Sequence, residues 1–287
     1  MVYNISMNTE IYDIVKKLVL PSPDSHKGQN GKLLIIGGSR LFHAASLWSL
    51  TVASQIVDLV HYCSTEENNQ IVHELKKEFR SGIVVPRSEV DAYIKEDDVI
   101  LIGPGMTRDE ETKTLTDTLL TKYPEKQWVI DAGALQMMEL ENIPKNAILT
   151  PHHQEFELLQ IKNQKSKIKN TNQKSKIEER ISEFAKMHAC IVLLKGKEDV
   201  ASNGNETNAI EGGNAGMTKG GTGDVLAGLI AALSCTNDPW TATLAGSYIN
   251  KRAGDELFKT VGPFFNATDL ANEIPKTMSF LLQGNMR

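Results

Sequence analysis

Lys32-Leu33-Leu34-Ile35-Ile36 runs without a polar break into Gly37-Gly38-Ser39. Continuous apolarity over four or five residues, instead of alternation, is what a strand covered on both faces requires. The same rhythm returns in Ile83-Val84-Val85, Val99-Ile100-Leu101-Ile102, Trp128-Val129-Ile130, Ala147-Ile148-Leu149 and Ile191-Val192-Leu193-Leu194. Helix-length segments such as 44–57 and 110–121 lie between these runs. Ile11, Ile14, Val15, Leu18 and Val19 recur at helical spacing, which predicts a helix over 9–19 ended by Pro21. Strand–helix alternation of this kind predicts an α/β fold with a mostly parallel central sheet and helices on both faces. Ligands in such sheets bind at the carboxyl ends of the strands.

The 287 residues, 40% of them hydrophobic, suit one domain over 1–287. One stretch departs from the pattern. Residues 161–180 are Lys-rich and poor in apolar residues, and the hexapeptide at 163–168 returns at 172–177. We read this stretch as an inserted solvated hairpin or mobile segment. Thirty-six acidic against 31 basic side chains give a net charge of -5, so the balance offers no support for nucleic-acid binding. No apolar run approaches the roughly 20 residues that span a bilayer. The amino-terminal residues lack the basic start and apolar stretch of a secretory signal. Cys63, Cys190 and Cys235 are far apart and form no paired framework, which predicts a reducing, cytoplasmic setting.

The densest motif is Gly212-Gly213-Asn214-Ala215-Gly216-Met217-Thr218-Lys219-Gly220-Gly221-Thr222-Gly223-Asp224, followed by an apolar helix from Val225. Glycines let backbone N–H groups converge, and a helix N-terminus adds about half a positive charge. The pair forms an anion hole, with Asp224 placed to take a proton from an attacking hydroxyl. The competing interpretation is that Asp224 merely caps the helix. No GKS or GKT follows, so the motif is not a Walker loop, and it does not follow a first strand as a dinucleotide fingerprint would. In Leu149-Thr150-Pro151-His152-His153-Gln154-Glu155, His152 and Glu155 share the first turn of a helix. His152 could bond a substrate. Glu155 could hold water on Mg2+, or could simply complement the helix dipole. Lys195-Gly196 ends a buried strand, where a lysine can neutralise phosphates, although exposed lysines are commoner. Gly37-Gly38-Ser39, Gly103-Pro104-Gly105 and Asp131-Ala132-Gly133 are three further strand ends, expected to share one pocket.

Over residues 20–275 these motifs, in this order, resemble the ADP/ATP-dependent NAD(P)H-hydrate dehydratases, within the ribokinase-like superfamily. The matching stretches are His26-Lys27-Gly28, the glycine strand ends, Leu149-Thr150-Pro151-His152 with Glu155, Leu194-Lys195-Gly196, and Asn214 to Gly228. The resemblance implies phosphorylation of the ring hydroxyl of hydrated NADH or NADPH by ADP or ATP, then loss of phosphate. It implies Asp224 as base and the amides of Gly221, Thr222 and Gly223 as anion hole. It implies Ala44, Gly105, His152 and Asp224 at the dinucleotide, and Lys195, Gly196, Lys197, Glu198, Asp199 and Gly223 at the adenine nucleotide. Glu155 is implied near Mg2+, and a homo-oligomer, a tetramer, as the assembly. An upstream epimerase domain, frequent in the family, is not expected in a chain of this length.

Three departures stand out. His43 replaces a usual glycine before Ala44, Gly133 replaces a usual acid, and Thr218-Lys219 replaces small uncharged residues and could add a phosphate contact. A ribokinase-like vitamin or sugar kinase, or a non-catalytic nucleotide-binding regulator, would also accommodate the glycine-rich motif.

Overall fold

A computed structural model describes residues 9–165 and 176–283. Its strands are β1 Lys32–Ile36, β2 Leu59–Cys63, β3 Ile83–Val85, β4 Val99–Ile102, β5 Gln127–Ile130, β6 Ile148–Leu149, β7 Ile191–Leu194, β8 Asp199–Ser202 and β9 Thr207–Ile210. The helices are α1 Thr9–Val15, α2 His43–Ala53, α3 Glu66–Leu75, α4 Val90–Glu96, α5 Glu110–Lys122, α6 Ala132–Met137, α7 His153–Lys165, α8 Ile177–His188, α9 Thr222–Ser234, α10 Pro239–Val261 and α11 Ala267–Leu281. The strands form one sheet in the order β3-β2-β1-β4-β5-β6-β7-β8-β9. β1 to β7 pair in parallel, and β8 and β9 extend the sheet as an antiparallel hairpin.

Two apolar clusters cover the two faces, as the unbroken apolar runs require. Leu33, Ile35, Leu101 and Val129 point toward α1, α2 and α9 to α11; Leu34, Ile36, Ile100 and Ile130 point the other way, toward α4 to α8. Each such buried side chain contributes about 1.5–3 kcal/mol relative to leaving it in water. Ile83 is an exception. β3 is a three-residue edge strand, and Ile83 at its start stays 47% exposed. The expected first helix stops at Val15, and Leu18 turns back into the core.

β2, β8 and β9 lie outside the sequence expectation. His61 interrupts the apolar run of β2, yet is buried because Asp97 accepts its Nδ1–H at 2.8 Å and Tyr93 packs on its ring. Asp199 in β8 is buried because Gly196 N, Ser247 Oγ and the Lys251 ammonium surround its carboxylate. Of the Lys-rich stretch, 161–165 belongs to α7 and 177–180 to α8. The reading of its centre falls on 166–175, outside the described residues.

The strand order reverses between β1 and β4, the position at which open α/β sheets leave a crevice. Helix α9 crosses beneath it. A Cβ at Gly228 would lie 2.6 Å from Ser49 Cα, so only glycine allows α9 to sit this close to α2. Ser49 Oγ then donates to the Asp224 carbonyl at 2.7 Å, tying the two helices together beside the first turn of α9.

Candidate active site

Gly221 adopts φ +97 as the N-cap of α9, a conformation that favours glycine. The first helical bond is Val225 N to Gly221 O, so the first-turn amides before it lack helical acceptors, Thr222 N instead making a long 3.5 Å bond to Lys219 O. The Thr222 hydroxyl donates to Met217 O at 2.7 Å and Lys219 O at 3.0 Å, which pins the glycine-rich loop to the helix. Gly221, not Asp224, occupies the N-cap, and the backbone bond of the Asp224 carboxyl is to its own amide. Burial, followed by repulsion from Asp131, pushes the Asp224 carboxyl up to about 7, against the attraction of Lys195.

Lys195 ends β7 and is not an exposed lysine: its side chain is 18% exposed, with its ammonium 2.8 Å from Asp131 Oδ1. Burial acts to lower the Lys195 pKa, but Asp131, Glu155 and Asp224 together raise it, so the ammonium stays charged. A Cβ at Gly223 would meet Lys195 Nζ at 3.4 Å, which sets the ammonium against the first turn of α9. Asp131 ends β5 and is followed by Ala132 in the left-handed region at φ 46, a strained conformation of the kind concentrated at functional sites. At Gly133 a Cβ would meet Met106 O at 2.2 Å, so this packing excludes an acidic side chain there. Asp131 was not singled out in the sequence as a site residue; its place just after a buried strand was the available signal.

His152 and Glu155 cap α7 reciprocally. Glu155 Oε2 accepts from His152 N at 2.9 Å, and His152 Nδ1 accepts from Glu155 N at 3.2 Å. Gln136 Nε2 donates to Glu155 Oε1 at 2.8 Å. Glu155 is thus both a helix-start residue and a buried carboxylate facing Lys195. His152 Nε2 lies 3.6 Å from Glu155 Oε2, and the ring is about half exposed.

A cleft of about 650 Å³ joins His152, Lys195, Gly196, Lys197 and Asp199 to Thr222 and Gly223. Glu198 is exposed on the same turn. The Asp199 carboxylate faces inward, where it holds the turn. Lys251, absent from the sequence expectation, is buried and donates to the carbonyls of Gly196, Lys197 and Gly212. Ala44 and Gly105 lie outside this cleft lining, at the β1–β4 crevice. There Gly38 N donates to Pro104 O at 2.7 Å, and Gly105 packs against Phe42 O and Ala45. A Cβ at Gly103 would clash with Asp131 O, so the three glycine strand ends do pack together. His43 opens α2 and is exposed. Lys219 takes no phosphate-facing position, since its ammonium bonds Pro263 O and Phe265 O and fixes the α10–α11 loop. His26-Lys27-Gly28 lies before β1, at the amino ends of the strands, where Gly28 N bonds Asp58.

A family model described as NAD(P)H-hydrate dehydratase matches residues 33–276. The chain belongs to the NAD(P)H-hydrate dehydratase family. It is 36% identical over 272 residues to the bifunctional NAD(P)H-hydrate repair enzyme of Methanocaldococcus jannaschii, covering 92% of this chain and 51% of that protein. It is 34% identical over 285 residues to the ADP-dependent (S)-NAD(P)H-hydrate dehydratase of Nitrosopumilus maritimus, covering 92% of this chain and 94% of that one. The chain thus spans about half the length of the bifunctional relatives. The fold matches a ribokinase-like protein of Enterococcus faecalis with a TM-score of 0.82 at 24% identity, covering 95% of each chain. It also matches the Bacillus subtilis ADP/ATP-dependent NAD(P)H-hydrate dehydratase co-crystallised with ATP and Mg2+, with a TM-score of 0.78 at 24% identity, covering 94% of this chain and 97% of that one. The ribokinase-like, mostly parallel α/β architecture is therefore the family's own.

Proposed function

We propose that this chain restores NADH or NADPH from their hydrates, using ADP or ATP to phosphorylate the ring hydroxyl. The observation that carries the reading is Asp224: a half-buried carboxyl pushed up to about 7, in the first turn of α9 beside its amides and the Lys195–Asp131 pair. A base poised near neutrality gives the best compromise between ionised fraction and driving force.

Asp224 takes the hydroxyl proton, and the hydroxyl oxygen bonds to the terminal phosphorus of the nucleotide. The bond from that phosphorus to the bridging oxygen breaks, releasing AMP from ADP or ADP from ATP. Amides of Gly221, Thr222 and Gly223 bond the phosphoryl oxygens during transfer. The ring C–O bond then breaks, phosphate leaves, and loss of a proton from the neighbouring carbon restores the double bond. His152, Ala44 and Gly105 hold the dinucleotide. Lys195, Gly196, Lys197, Glu198, Asp199 and Gly223 hold the adenine nucleotide, with Asp199 acting through the turn it braces.

Among the described residues no three His, Cys, Asp or Glu side chains form a group that could hold a metal ion. Mg2+ ordinarily keeps several waters and takes one or two carboxylates together with phosphates. Glu155, whose oxygens each accept one bond and retain further lone pairs, fits that water-mediated role. Mg2+ would neutralise charge on the nucleotide phosphates.

No helix among the described residues is long and apolar enough to cross a membrane. Three free cysteines favour the cytoplasm as the setting. Self-association, as a tetramer, is part of the proposal; Phe264 in the α10–α11 loop and Phe280 at the carboxyl end of α11 stand 86% and 70% exposed. The test is to incubate the protein with hydrated NADH, Mg2+ and ADP or ATP. Recovery of reduced-nicotinamide absorbance dependent on nucleotide supports the reading. Accumulation of a stable phosphoester would make the protein a kinase, and no turnover would leave it a binding protein.

A further inference from the structure

The cleft that begins at the Thr222–Gly223 amides ends against α10, where Asn250 lines its wall. Asn250 is 4% exposed, and its Oδ1 is buried with no hydrogen-bond partner among the described residues. A buried acceptor left unpaired costs about 1–3 kcal/mol, a penalty that a donor in the cleft would relieve once the carboxamide turns Oδ1 toward it. The surrounding wall differs from the phosphate end. Ala215, Met217 and Leu226 supply apolar surface, which suits a planar aromatic ring more than a charged group. Lys251, one residue on, is fully engaged with three carbonyls and Asp199, and offers no free charge there.

We infer that Asn250 reads the purine base of the nucleotide and selects adenine over guanine. This rests on the proposed use of an adenine nucleotide and extends it to a residue. A carboxamide turned about its last torsion presents one donor and one acceptor side by side. Adenine matches that pair along one edge, with its 6-amino group donating to Oδ1 and N7 accepting from Nδ2, the pairing asparagine makes with adenine elsewhere. Guanine presents two acceptors on the same edge, O6 and N7, and leaves Oδ1 facing an oxygen.

The test compares ADP with 6-deamino-ADP (purine riboside diphosphate) and GDP, each with Mg2+, by calorimetric titration of the wild type and of Asn250→Leu and Asn250→Asp. The wild type should bind ADP about tenfold more tightly than the deamino analogue, the usual worth of such a bond, and should discriminate at least as strongly against GDP. Asn250→Leu should bind ADP and the analogue equally. Asn250→Asp, which keeps acceptors but loses the donor, should retain a preference for ADP over the analogue. Equal binding of ADP and the analogue by wild-type protein would overturn the inference whether or not either variant folds. So would a folded Asn250→Leu protein that keeps the wild-type ratio. If hydrated NADH is not turned over while the ADP preference depends on Asn250, the functional reading fails and the base assignment stands.

Discussion

The Lys195 ammonium reaches across the end of β6 to stand 2.8 Å from the Asp131 carboxylate, joining the carboxyl ends of β7 and β5. Both charges act on Asp224, and they act in opposite directions: Asp131 raises its pKa and Lys195 lowers it. The ion pair therefore adjusts the proposed base instead of neutralising it.

Asp131→Asn should shift the pH dependence of turnover. A base must be ionised to act, so kcat/KM is expected to rise with pH through about 7 in the wild type. Removing Asp131 deletes a repulsion and frees Lys195 to attract, and both changes favour ionised Asp224. The acid limb should move about one unit or more to lower pH. An unmoved limb would show that the pair does not set the base.

Asp224→Asn should lower kcat by about 10²–10⁴, the usual worth of a general base, and also stabilise the fold. The folded-state pKa of about 7 lies above the ordinary 3.8, so folding works against ionisation at neutral pH. That penalty is complete above pH 7 and fades as pH falls toward 4. The variant should therefore resist unfolding more at pH 8, by at most about 4 kcal/mol for a change of roughly three units, the gain shrinking at pH 5. Denaturant titrations at the two pH values check the sign.

Gly228→Ala should destabilise the protein by about 1–3 kcal/mol, because the new Cβ falls 2.6 Å from Ser49 Cα, backbone that cannot swing aside. Thermal melting reads the loss. A variant of wild-type stability would mean that α2 and α9 separate freely.

How much of this could be read from the sequence depended on the kind of burial. β1, β4, β5, β6 and β7 announced themselves by unbroken apolar runs. β2 and the β8–β9 hairpin did not, because His61 and Asp199 are buried by pairing with Asp97 and Lys251, residues distant in sequence. The glycine motif indicated the loop and the first turn of α9, with the proposed anion hole, because such backbone conformation is local. The Asp131–Lys195 contact, the closing of Lys219 onto the α10–α11 loop and the burial of Asn250 all arise from tertiary placement. His26-Lys27-Gly28, one of the stretches that match the family, lies at the opposite strand ends.

Replacing 166–175 by a short Gly/Ser linker should leave turnover nearly intact, as the Lys-rich composition suggests. A wider cut over 163–177 should cost stability, since it removes Asn163, which is 1% exposed and pairs with His188, and Ile177, which packs on the core. Loss of folding from the narrower deletion would show that the repeat belongs to the body of the domain.

The most direct measurement concerns the fate of one oxygen atom. Hydrated NADH carrying a heavy-isotope oxygen in its ring hydroxyl is turned over with ADP and Mg2+, and the released phosphate is analysed by mass spectrometry. Phosphorylation before elimination forms a bond from that oxygen to phosphorus, so the label should appear in phosphate at one atom per NADH recovered. Label released into water, with unlabelled phosphate, would contradict phosphoryl transfer to the hydroxyl and with it the role proposed for Asp224.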